Sequence, residues 1–135
     1  MKLARVLTVS LFALSVQVAS CKPDPNAPPP APAMPATWTV KADQTYKDNE
    51  RQFLEAEGRL QGRLKGLRIT AYDVGGKAIW LNTIVPMDTT EGDKIFRVLN
   101  HQKPGWSFLR KNDVFYEFRG PEDAEQEITA VRNSL

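Results

Sequence analysis

Residues 22–37, KPDPNAPPPAPAMPAT, hold seven of the chain's ten prolines. Each proline fixes its own φ, pushes its predecessor towards extended geometry and offers no backbone N–H. Neither a helix nor a central strand can form there, so the stretch is expected to be a polyproline-II spacer. At about 3.1 Å per residue it would reach roughly 50 Å. From Trp38 the composition changes: prolines become rare and aromatics appear. Residues 38–135 are therefore expected to form a single domain with one core of moderate size.

Residues 1–20 read as an export signal. Lys2 and Arg5 make a positive start, and Val6 to Val16 form a short apolar run ending near Ala19-Ser20. That run is about a dozen residues, whereas a membrane-spanning helix needs roughly 20. Val18-Ala19-Ser20-Cys21 resembles the lipobox of bacterial lipoproteins, a branched apolar residue followed by two small ones and a cysteine. The resemblance covers residues 1–21. It implies cleavage before Cys21, a diacylglyceryl group on the Cys21 thiol and acylation of the new amine. Such a molecule is held at a membrane by its N-terminal lipid, since each buried methylene contributes about 0.8 kcal/mol and two or more chains anchor stably. In the enteric version of that family, aspartate after the lipidated cysteine retains the protein on the inner membrane. Lys22 in that place implies the outer membrane, facing the periplasm.

Charge and rare residues exclude several function classes. The chain carries 18 Lys+Arg against 16 Asp+Glu. Removing the signal takes away Lys2 and Arg5 and no acid, leaving a neutral mature chain with no electrostatic case for nucleic acid. One cysteine excludes an internal disulfide, and one cysteine with one histidine excludes Cys/His zinc sites. No Gly-x-Ser-x-Gly stretch presents a nucleophile to His101, and Gly75-Gly76 lacks the spacing of a phosphate-binding loop. No cofactor is expected.

The domain is expected to run α-ββ-α-ββ-α. A helix over residues 43–64 is predicted from the stripe Tyr46, Phe53, Ala56, Leu60 and Leu64. Gly58 and Gly62, one turn apart on it, imply either a close backbone approach or tolerance on a solvent-facing side. Leu67–Val74 and Lys77–Val85 flank Gly75-Gly76, a hairpin signal because both glycines accept the positive φ of a type I′ turn. That register puts Leu67, Ile69, Ala71, Trp80 and Ile84 on one face. Arg68, Thr70, Tyr72, Ile79, Leu81 and Thr83 fall on the other. A helix capped near Asp88 should follow over residues 89–102. Trp106–Arg110 and Val114–Arg119, turning near Asn112-Asp113, make a second hairpin. A last helix opens after Gly120-Pro121 with Ala124, Ile128, Val131 and Leu135 inward. The expected fold is a two-layer α+β sandwich with a four-stranded antiparallel sheet, its strand order open.

Little in the sequence points to catalysis. His101 near a helix end suits a structural cation. The acids at Glu55/Glu57, Asp88/Glu91 and Glu122/Asp123/Glu125/Glu127 sit where solvation and helix starts account for them. No enzymatic activity and no metal are expected. The candidate binding face is Trp106, Phe108 and Phe115 with Arg110 and Arg119, extended by Tyr72 and Ile79, because aromatics and arginine dominate binding hot spots. The competing expectation is that the first helix covers these aromatics as core. The function expected is a lipid-anchored periplasmic domain that binds another protein as an envelope accessory factor. Alternatives are an inhibitor or immunity protein against a toxin or cell-wall hydrolase, and small-ligand binding beneath the sheet.

Overall fold

The computed structural model describes residues 27–101 and 103–135. Its frame is one antiparallel five-stranded sheet in the order β1-β2-β3-β5-β4. The strands are β1 (Trp38–Tyr46), β2 (Leu64–Val74), β3 (Lys77–Pro86), β4 (Trp106–Lys111) and β5 (Val114–Arg119). Among the described residues three α-helices pack on the sheet: α1 (Arg51–Leu60), α2 (Thr89–Leu99) and α3 (Glu125–Ser134). Both hairpins turn through two residues of positive φ, Gly75-Gly76 and Asn112-Asp113, as type I′ geometry requires. Val74 faces Lys77 and Lys111 faces Val114, so the expected faces of both hairpins hold.

The expected helix over residues 43–64 is corrected. Trp38–Tyr46 is a strand pairing antiparallel with β2, from Trp38 opposite Val74 to Tyr46 opposite Leu67. The chain then turns at Lys47–Glu50, with the Glu50 N–H donating to the Lys47 carbonyl at 3.0 Å. The helix is confined to residues 51–60, ending at Gln61 in the left-handed region. Phe53, Ala56 and Leu60 do form its inner stripe, whereas Tyr46 and Leu64 reach the same layer from flanking strands. The two glycines part company. A Cβ on Gly58 would meet nothing, while one on Gly62 would lie 2.6 Å from Ile95 Cγ1, where α2 crosses close by.

Four strands and two layers are likewise corrected to five strands with helices on both faces. The alternation along β2, β3 and β5 is apolar on each side, so each side must be covered. On one side Tyr72, Val74, Ile79, Leu81 and Phe118 pack against Ala124, Ile128 and Val131 from α3 and its lead-in turn. On the other, Leu67, Ile84 and Phe115 pack against Phe53 and Leu60 of α1 and Ile95 and Leu99 of α2. The Asp88 side chain caps α2 as expected, accepting from the Glu91 N–H at 2.9 Å.

The proline-rich stretch is not a free spacer over its described part. Pro28 is buried, and Ala31 and Met34 pack against the core that holds Trp38 and Tyr72. The Trp38 N–H donates to the Pro35 carbonyl at 2.9 Å, locking the entry into β1. Helix α3 lies along β4, so the β1–β2 flank of that face would otherwise stay bare, and the prolines close it as a strap.

Beside the strap, Asp43 of β1 accepts from Arg68 Nε at 2.7 Å and from Thr70 Oγ1 at 3.1 Å. The Arg68 hydrogen bond holds the Asp43 carboxyl below its usual value. Because the folded value is depressed, the pair stabilises above about pH 4 and the effect is lost as pH falls through the lowered value. The pair is partly exposed, so Asp43→Asn should cost about 0.5 kcal/mol at pH 7. Urea unfolding at pH 7 and pH 2 checks this: the two proteins should differ at pH 7 and coincide at pH 2.

Candidate functional site: a groove between α1 and the sheet

Three rows of side chains cross the α1 face of the sheet, and they differ in character. The row Leu67, Ile84, Phe115, Arg110 is mostly apolar and lies under α1 and α2. The next row is Ile69, Asn82, Glu117, Phe108, with two polar groups at its centre. The third is Ala71, Trp80, Arg119, Trp106. Helix α1 covers the first row and ends its reach with the small side chain of Ala56. The result is a groove of about 540 Å³ whose lining includes Gln52, Arg59, Ile69, Trp80, Trp106 and Arg119.

Its floor is held by a buried ion pair. Glu117 is fully buried in mid-strand and accepts from Arg59 Nη1 at 2.9 Å and Arg59 Nη2 at 2.6 Å. Asn82 Nδ2 donates to the same carboxylate at 2.9 Å. A buried carboxylate demands such partners, because its desolvation costs several kcal/mol otherwise. The pair therefore fixes α1 to β5 at a defined distance, and that distance sets the groove's width.

Arg119 is held differently. Its guanidinium carbon lies 4.2 Å from the centre of the Trp106 ring, and Lys103 Nζ lies 4.5 Å from the same ring. Among the described residues no carboxylate forms an ion pair with Arg119. Burial, and then the like charge of Arg59, pull its pKa below the ordinary arginine value. Trp80, its cross-strand neighbour, is 45% exposed. The groove thus offers guanidinium donors and indole surface, which is the chemistry of recognition.

The expected binding face is split by the structure. Trp106 and Arg119 line the groove. Phe108 is half-buried between Phe96 and Phe115, with ring centres 5.6 and 6.2 Å away. Phe115 is core, and Arg110 lies over it at 5.2 Å with Asp93 3.4 Å from its Nη1. Tyr72 and Ile79 cannot extend the face: they are opposite one another in register on the α3 side, 3% and 0% exposed. Burial raises the Tyr72 phenol above its usual pKa.

Trp80, Asn82, Glu117 and Arg59 were not singled out by sequence reasoning, although the hairpin register already set Trp80 apart from Ile79. His101 is exposed beyond α2, and its N–H donates to the Val98 carbonyl at 3.2 Å. Several of the screened acids have structural partners: Glu55 with Arg51 at 2.6 Å, Glu57 with the Leu64 N–H at 2.8 Å, Glu127 with Lys77 at 2.9 Å. Among the described residues no cluster of His, Cys, Asp or Glu is arranged to hold a metal ion, and no helix is long and apolar enough to cross a membrane. Cys21 lies outside the described residues. Comparison with protein-family models, curated proteins and solved structures found no match.

Proposed function

We propose that this chain is a lipid-anchored, non-catalytic binding domain of the cell envelope, facing the periplasm from the outer membrane, which engages a protein partner through the α1 groove. The observation that carries the reading is the open row Trp80–Arg119–Trp106 beside an otherwise covered face. A membrane-held inhibitor of an incoming toxin or wall hydrolase is the same reading with a hostile partner. The groove's volume supports a second reading, a small ligand, since such sites commonly span about 300–1,000 Å³.

Two experiments test the proposal. Cys21→Ser should abolish the lipid mass on the chain and release the protein from the membrane fraction, because the acyl chains supply the whole attachment. A variant that stays membrane-bound would overturn the anchor. A photocrosslinking amino acid at Trp80 should capture a discrete protein adduct in intact cells, and the same group at exposed Glu125 on α3 should not. Identical adducts from both positions, or none from Trp80, would remove the groove as the docking site.

A further inference from the structure

We infer that the groove takes an acidic peptide segment, with an aspartate or glutamate side chain on Arg119 and a neighbouring apolar side chain against Trp80. This rests on the groove being the binding site, and it names what the partner must present.

The first support is charge. Arg59 and Arg119 both line the groove, but Arg59 directs its guanidinium at Glu117 through two hydrogen bonds. Arg119 and Lys103 both stack on Trp106, and among the described residues neither forms an ion pair. The Trp106 end of the groove is therefore locally cationic in a chain whose mature charge is neutral. The Glu117 carboxylate attracts the Arg119 guanidinium only at a distance and is itself bonded by Arg59. A half-buried guanidinium with no carboxylate in ion-pair contact gains most from a charge-assisted bond, and its planar fork matches a carboxylate. One such fork suits a monoanion.

The second support is juxtaposition. Trp80 and Arg119 are direct cross-strand partners on the same face, so their Cβ atoms are about 5 Å apart. An occupant seated on Arg119 therefore has the Trp80 indole directly beside it. Further along, Gln52 brings an amide to the lining, a group that pairs with peptide backbone, while the Tyr46 hydroxyl donates to Gln44 Oε1 at 3.1 Å and the Glu55 carboxylate, also in the lining, is taken by Arg51 at 2.6 Å. Carboxylate, apolar side chain and backbone amides occur together in a short peptide.

The test uses the full chain in detergent micelles, with tryptophan fluorescence as readout and three probes. These are N-acetyl-Phe-Asp-Gly-amide, its Asn counterpart, and N-acetyl-Phe-Gly with a free terminal carboxylate. The Asp peptide should bind at least about tenfold more tightly than the other two. Arg119→Gln should erase that preference without changing the melting temperature by more than a few degrees, and Arg119→Lys should restore part of it. Equal binding of Asp and Asn peptides, no binding by any probe, or an undiminished preference in Arg119→Gln would overturn the inference. Preference for the free terminus would overturn it too, by moving the carboxylate to a chain end. A Trp80 crosslink that persists alongside any of these results would leave the groove standing and remove only the acidic segment.

Discussion

Glu117→Ala is expected to destabilise the domain by about 3 kcal/mol, at the lower end of the cost of breaking a buried ion pair. The carboxylate is fully buried and accepts hydrogen bonds from Arg59, through both Nη atoms, and from Asn82. Its removal orphans the Asn82 amide and leaves a hole in mid-sheet. Arg59 keeps a route to water, being about a third exposed, which is why the upper end of the range is not reached. For a domain of this size the melting temperature should fall by roughly 12 °C or more. The paired replacement Glu117→Leu with Arg59→Met should recover most of the loss, because an apolar pair of similar volume needs no desolvation. Thermal melts of the three proteins check this, and a loss below about 1 kcal/mol in the single variant would contradict it.

Phe115→Ala is expected to cost about 3–5 kcal/mol, the usual range for emptying a buried phenylalanine site. The ring is 0% exposed among Leu67, Ile84, Ile95 and Leu99, with Arg110 lying over its face. Trp106→Ala should behave oppositely. Trp106 is half-buried at the rim, so its loss costs about 1–2 kcal/mol. Its functional cost is larger, because Arg119 loses the surface that orients it. Chemical denaturation of both variants, set against crosslinking from Trp80, separates the roles. A folded Phe115→Ala protein of unchanged stability would show that the core assignment fails.

How much of this could be read from residues alone follows from where the signals lie. Gly75-Gly76 and Asn112-Asp113 dictate positive φ, which fixes loop length, and loop length fixes register and faces. The inner stripe of α3 and the Asp88 cap were legible for the same local reason. Strand β1 was not. It is an edge strand whose residues after Trp38 are almost all exposed, so it shows no alternation to detect. Tyr46 and Leu64 then happened to complete a helical spacing with Phe53 and Leu60. The groove was half legible: Trp106 and Arg119 stood out by type, while Glu117 resembled any charged residue on a strand. Only the tertiary approach of Arg59, 58 positions earlier, makes Glu117 a buried structural group.

With Pro28 buried and Ala31 and Met34 packed against the core, the folded body begins well before β1. If the acyl group sits on Cys21, as proposed, only the covalent length from residue 21 to residue 28 separates it from the buried Pro28. Fully stretched, it spans about 25 Å, less than the width of the folded body it carries. An anchor on Cys21 would then have about half the reach that a leader extended all the way to β1 would give it. Partners would be met within one protein's thickness of the bilayer, so those already residing at that surface are the ones it would intercept.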